Sequence, residues 1–309
     1  MSYRLLSYLP DKSSTTARAG ILIGDRVYDL AAAVKASGRP ASFDPATTLA
    51  VLDSWDSARP VLEAIAAAKG AGAESRLLTD TALAAPILYP RTLYCAAANY
   101  QDHFREMLGH DVDKSKIKPY FFLKVTHQAI IGTGGAILKP AVTQKLDWEA
   151  EIAVVIGKRA RNVKVKDAFD YIAGYTIVND LSARDFLQRE DWPSMRSDWV
   201  WQKSFDTSAP MGPWITPRAD IADPQNLKIE TWVNDTLEQD THSRHMIFTI
   251  AEQIEALSEH MTLLPGDVIA TGTGAGVGAR KNKYLNAGDK VRITIEGLGT
   301  IDNPVRAGQ

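Results

Sequence analysis

Cysteine is almost absent: Cys95 is the only one in 309 residues, so no intramolecular disulfide can form, and the chain suits a reducing compartment. Charge of one sign is lacking as well. With 35 Lys and Arg against 37 Asp and Glu, net charge is −2 and the pI near 6.3, which leaves no basic footprint for nucleic acid. No apolar run approaches the roughly 18 residues a membrane span needs, and the start M-S-Y-R-L-L-S-Y-L-P has no signal-peptide core, so a cytoplasmic protein without a membrane partner is expected. There is no G-x-S-x-G elbow, which removes the simplest serine hydrolase. His242 and His245 are spaced H-x-x-H with no third nitrogen or thiol ligand nearby, which argues against zinc. Cys95 itself lies in an apolar strand, L-Y-C-A-A-A, and reads as buried and inert.

What is present is an ordinary globular composition, 45% hydrophobic and 23% charged. Residues 1–85 read as a small α+β domain. Short strands are expected over Arg4–Leu9, Ala19–Ile23 and Arg26–Leu30, with a turn at Gly24-Asp25. Helices follow over Ala46–Trp55 and Pro60–Lys69, proline being tolerated near a helix start. Residues 86–309 are mostly strands: Ile87–Ala96, Tyr120–Val125, Glu149–Ile156, Ile172–Asn179, Leu227–Val233, Asp267–Thr271 and Lys290–Ile295 are rich in β-branched and aromatic residues. Helical spacing is confined to Tyr100–Gly109, Val165–Phe169 and Ile247–His260. Strands and helices do not alternate regularly, so a β-rich α+β catalytic domain is expected instead of a doubly wound sheet.

The chemistry gathers in that second part. Glu149 and Glu151 share one face of a strand, roughly 7 Å apart at ~3.3 Å per residue, and Asp180 closes the later run Thr176-Ile177-Val178. Burying several carboxylates without a cation is costly, and three oxygen ligands without Cys or His suit a hard ion, Mg²⁺ or Mn²⁺. An exposed strand face with an ordinary E-x-E is the alternative. His103 and Glu106 sit three apart on a helix that Asn99 could cap, either as a general base with its carboxylate or as a surface pair. Lys124 and Lys203 lie among apolar and aromatic residues, as oxyanion donors, carboxylate anchors or snorkelling side chains. Arg184 could bind a substrate carboxylate or pair with Asp185. Gly272 to Gly278 fails the G-x-G-x-x-G spacing and reads as a substrate loop whose N–H groups or Thr273 hydroxyl could meet a carboxylate, or else as a purely structural turn. Trp192, Trp199, Trp201 and Trp214 around Lys203 read as core or interface anchors.

In this order the segments N-Y-Q-D-H-F-R-E-M (99–107), F-F-L-K (121–124), 146–158, D-Y-I-A-G-Y-T-I-V-N-D-L-S-A-R-D (170–185), K-S-F-D-T-S-A-P-M-G-P-W (203–214), 246–248 and 265–278 resemble the fumarylacetoacetate hydrolase family. The resemblance implies a mixed β-roll catalytic domain, commonly homodimeric, that binds Mg²⁺, Mn²⁺ or sometimes Ca²⁺ through Glu149, Glu151 and Asp180. It places a water-activating dyad at His103 and Glu106 on a lid helix, the family lysines at Lys124 and Lys203, the arginine at Arg184 and the loop threonine at Thr273. Two positions depart from the family pattern: Gly274 replaces a proline, which suggests a looser loop, and Leu187 stands where a glutamine is usual, the nearest amide being Gln188. The implied activity is C–C hydrolysis of an acylpyruvate-type 1,3-dicarbonyl acid such as fumarylpyruvate, in aromatic catabolism. The distal carboxylate of that substrate would need Lys124 or Arg184. Decarboxylation of oxaloacetate, hydration or isomerisation of 2-oxo-dienoates, and non-catalytic binding of a small acid are the alternatives.

Overall fold

The computed structural model describes residues 2–11, 14–70, 72–188, 191–192, 194 and 197–308. Its main sheet has a ten-strand path with two short strands attached. From one edge the path runs Ser75–Leu77, Arg26–Asp29, Arg18–Ile23, Arg4–Leu9, Ala209–Pro217, Ile172–Asn179, Ala150–Ile156, Val268–Ala270, Leu93–Ala96 and Phe121–Lys124. Pairing is antiparallel except where Val268–Ala270 runs parallel to Leu93–Ala96 and Ala209–Pro210 to Ile130–Ile131. A second sheet orders Thr236–His242, Lys228–Val233, Lys290–Ile295, Gly299–Ala307 and Ile137–Lys139. This is the sheet-rich mixed α+β architecture expected.

The strand Ala150–Ile156 shows why so apolar a sequence is needed. Alternate side chains point to opposite faces: Ile152, Val154 and Ile156 join a core shared with Ile229 and Ile293 of the second sheet. Ala153 and Val155 join another core with Leu5, Ile21 and Leu62 of the N-terminal segment. Covered on both faces, the strand has every residue buried.

Ile172–Asn179 and Lys290–Ile295 form as expected, and Gly24 makes the first turn with φ 63°. Elsewhere the ends differ. Leu30 opens a helix, Leu30–Ala36, because the Asp29 carboxylate caps it by accepting from the Ala32 N–H. The two helices expected near it are Thr48–Asp53 and Trp55–Ala67, so Pro60 lies inside the second and not near its start. Ile87–Ala96 contracts to Leu93–Ala96, since Pro90 interrupts the run. Val165–Tyr171 is a 3₁₀ helix. Asn99 is not a helix cap: Tyr100 occupies that position, while the Asn99 amide donates to Phe248 O and Thr271 O and accepts from Phe248 N. The strand Ala209–Pro217 escaped detection because Pro210, Pro213 and Pro217 punctuate it; a register shift against Ile172–Asn179 accommodates it.

Candidate metal centre and active-site cavity

Antiparallel pairing places the acids together. Ala150 lies opposite Asn179, so the start of one strand meets the end of the other, and Asp180 N donates to Glu149 O at 2.8 Å. One carboxylate oxygen from each of Glu149, Glu151 and Asp180 falls within 4.8 Å of the others, and all three residues are buried. These are not exposed strand carboxylates.

Three cations surround them. Lys203, at the end of the helix Trp199–Lys203, donates to Glu149 Oε2 at 2.8 Å and Asp180 Oδ2 at 2.7 Å. Lys124 donates to Asp180 Oδ1 at 2.7 Å and Leu181 O at 3.0 Å. Arg184 does not pair with Asp185. Its Nε donates to Asp147 Oδ2 at 2.9 Å and its other end lies 2.6 Å from Glu149 Oε1. Burial opposes charge on Glu149, but Lys203 and Arg184 outweigh it and hold the carboxyl well below its usual range. Lys203 is held above its usual value because Asp180 and Glu149 overcome the same burial penalty. Glu151 goes the other way: burial, Asp180 and Glu149 all push it well up.

That imbalance tests the fit of a metal. Among these groups, four carboxylates, with Asp147, face three cations, and the uncompensated charge falls on Glu151. A hard divalent ion would supply it, and each carboxylate oxygen has a second lone pair beside the one its hydrogen bond uses. Glu149, Glu151 and Asp180 therefore form an oxygen donor set that fits Mg²⁺ or Mn²⁺.

Glu149 and Glu151 open onto a cavity of about 250 Å³ also lined by His103, Arg184, Lys203 and Thr273. Lys124 is turned to Asp180 behind it, and Gln188 is exposed outside it; Leu187 lines the wall instead. His103 and Glu106 lie on the helix Gln101–Leu108 with Nδ1 and Oε2 3.7 Å apart. A larger groove of about 700 Å³, between Phe121–Leu123 and the helix Ile250–His260, contains none of the three acids.

The glycine-rich loop is not a free anion cradle. Gly272 N donates to Glu151 Oε2 at 2.7 Å, Gly276 N to Glu106 at 3.0 Å and Gly278 N to Asp147 Oδ1 at 2.7 Å. Gly272 and Gly276 have φ of 99° and 100°, which other residues rarely adopt. Thr273 donates to Ala150 O and accepts from Gln239 Nε2, so its hydroxyl is engaged. Nor is the loop loosened by Gly274: a Cβ there would collide with the Thr241 side chain, and Gln239 also fastens Gly274 O. Asp147, Gln239 and Gln202 went unnoticed in the sequence, although Asp147 stands two residues before Glu149 in register with the E-x-E pair. Cys95 is buried, and burial raises its thiol well above the usual value, as an inert cysteine requires.

Comparison with known proteins agrees with this geometry. Residues 92–306 match the family described as fumarylacetoacetate (FAA) hydrolase C-terminal. Oxaloacetate tautomerase YisK of Bacillus subtilis (strain 168) is 43% identical over 234 residues, 74% of each chain. The mitochondrial oxaloacetate tautomerase fahd2 of Xenopus laevis is 34% identical over 309 residues, covering 99% of this chain and 91% of its own. Maleylpyruvate hydrolase from Sphingobium sp. SYK-6, solved with manganese (II) ion and pyruvate, superposes with a TM-score of 0.76 at 30% identity, over 99% of this chain and 100% of its own. With strand order, acid cluster and cavity in place, the chain belongs to the fumarylacetoacetate hydrolase family.

Proposed function

We propose that the protein is a metal-dependent enzyme that interconverts the keto and enol forms of a small 2-oxo dicarboxylate, oxaloacetate being the substrate to test first. One observation carries this reading: Glu149 and Glu151 of an oxygen donor set for a divalent ion line one small cavity together with His103, whose Nδ1 lies 3.7 Å from Glu106 Oε2. Similarity to two oxaloacetate tautomerases favours enol chemistry over the hydrolysis expected from the sequence resemblance.

The bound ion would polarise the 2-oxo group and stabilise negative charge on its oxygen. His103, oriented by Glu106, removes a proton from C3; the C3–H electron pair becomes the C2=C3 π bond, the carbonyl π pair moves onto the C2 oxygen, and that oxygen takes a proton from His103 or from solvent. Burial opposes charge on Glu106, but the nearby His103 and the Gly276 N–H it accepts from prevail and keep its carboxyl below the usual range, so an anionic carboxylate stands beside the imidazole. Lys203 offers positive charge to an oxygen that becomes anionic. Lys124 and Arg184 hold Asp180 and Glu149 in place, and Thr273 shapes the cavity wall. Residues 1–85 serve as an accessory module of a cytoplasmic homodimer, since every group in this scheme lies in 86–309.

A second reading, C–C hydrolysis of an acylpyruvate, is favoured by the likeness to maleylpyruvate hydrolase. There His103 would deprotonate water instead of C3. Decay of enol-oxaloacetate absorbance, compared with consumption of fumarylpyruvate and acetylpyruvate under Mg²⁺ or Mn²⁺, separates the two. Faster enol decay than the uncatalysed rate is expected. Preferential cleavage of an acylpyruvate would replace the first reading by the second, and no effect on any of them would remove both.

A further inference from the structure

Within the active-site cavity one polar side chain has no task in the scheme above. Gln202, on the helix Trp199–Lys203, is only 1% exposed yet lines the cavity beside Lys203, and its Oε1 is buried without a hydrogen-bond partner among the described residues. Buried amides are normally satisfied, because an unpaired polar group away from water costs free energy. Its fixed position argues against a side chain simply left over: Gln202 N donates to Asp198 O at 2.9 Å, and the next residue, Lys203, is anchored to Glu149 and Asp180. The amide is thus delivered to the cavity by the same short helix that delivers the lysine. Of the other residues lining the cavity, Ala97, Phe104, Phe122 and Leu187 carry no side-chain N–H or O–H to offer that oxygen.

We propose that Gln202 is a specificity-determining substrate contact, whose amide recognises an oxygen beyond the 2-oxo acid unit of the ligand. A half-turn of the terminal torsion exchanges Oε1 for the NH₂ without moving the stem, so the buried position can present a donor to a carboxylate or ketone oxygen at C4. A site built to hydrogen-bond a substrate group discriminates strongly against an analogue lacking it, since the amide is then left unpaired. The selected chemistry is a 2-oxo acid with an oxygen acceptor at C4, met by the carboxylate of oxaloacetate and by the ketone of an acylpyruvate. This inference rests on the assignment of the cavity to 2-oxo acids.

Trp199 lines the same cavity and gives a fluorescence titration independent of turnover. Full-length wild-type protein and Gln202→Leu, each with Mg²⁺, would be titrated with pyruvate, 2-oxobutyrate, oxaloacetate and acetylpyruvate. Leucine fills the space without the amide, so affinity for a C4-oxygen ligand should fall about ten- to hundredfold while pyruvate and 2-oxobutyrate bind as before. Gln202→Glu tells the two ligands apart: a larger loss than with leucine for oxaloacetate marks a carboxylate contact, and a loss confined to acetylpyruvate marks the ketone. Unchanged affinity for both in Gln202→Leu, or an equal loss for all four ligands, overturns the proposal while leaving the 2-oxo acid site standing. Wild-type protein that binds none of the four removes the site assignment and the proposal with it. If Gln202→Leu does not fold, Gln202→Asn, which keeps an amide but withdraws it by one methylene, must show the same selective loss.

Discussion

The acid cluster, through Glu149 and Glu151, and the helix Gln101–Leu108, which we propose is a lid, border one cavity but are held by different forces. Glu149, Glu151 and Asp180 stand at the meeting ends of two strands whose residues are all buried; ion pairs fix the carboxylates of Glu149 and Asp180, and the Gly272 N–H holds that of Glu151. The helix Gln101–Leu108 has no buried residue. It is fastened at separate points: Asp102 accepts from Thr241 and lies 3.0 Å from His245 Nδ1, Glu106 accepts from Gly276 N, and Lys114 beyond its end lies 2.6 Å from Glu252. One side of the site is set by the fold's core, the other by a few polar bonds. Substitutions on the first should harm folding and metal binding together; on the second they should harm chemistry alone.

Glu149→Ala is expected to have the largest effect. It removes a ligand and strands Lys203 and Arg184 as buried cations short of a partner, a loss of about 3–5 kcal/mol in stability. Calorimetry should find no divalent-ion binding, and urea unfolding should show the destabilisation; retained metal affinity would sink the ligand assignment. His103→Ala comes next, with activity down about 10²- to 10⁴-fold and metal affinity unchanged. A parallel loss of metal affinity would mean that the two sides are not separable as claimed.

The sequence revealed these two sides unequally. Glu149, Glu151 and Asp180 were legible because period-two alternation in an apolar run makes a carboxylate conspicuous, and His103 with Glu106 because helical spacing puts them on one face. Their partners were not. Lys124 and Arg184 looked like substrate anchors, since nothing in the order of residues tells that Asp180 and Glu149 fold back onto them. The glycine-rich loop looked open to a ligand carboxylate, whereas Gly272, Gly276 and Gly278 spend their N–H groups on Glu151, Glu106 and Asp147. Such assignments depend on contacts between residues from 35 to 170 positions apart. Pro210, Pro213 and Pro217 hid a central strand for the complementary reason: a register shift absorbs what local propensity forbids.

Asp147 joins the two sides and offers an intermediate test. It accepts from Arg184 Nε, from Gly278 N and from Ala279 N, tying the cluster to the loop that also holds Glu106. Asp147→Asn leaves at least one of these donors unsatisfied and should cost about 1–3 kcal/mol. The variant should also lower metal affinity moderately, because Arg184 then holds Glu149 less firmly. A variant as stable as wild type would show that the loop is secured without it.

The smallest effect expected is a loosening of the lid by acid. Burial would raise the Glu106 carboxyl, but the neighbouring His103 and the hydrogen bond accepted from Gly276 N prevail and depress it. A group depressed in the folded state contributes fully above its unfolded value and loses that contribution as pH falls through the folded one. Protection of the Gln101–Leu108 amides against hydrogen exchange should therefore decline once pH drops below the ordinary carboxylate range, while Ile172–Asn179 stays protected. Glu106→Gln, which cannot ionise, should show weaker lid protection at neutral pH and no further decline over that acid interval. If strand and lid lost protection together in wild type, the acid response would belong to the whole fold, and the contrast between a core-built half and a tethered half would fail.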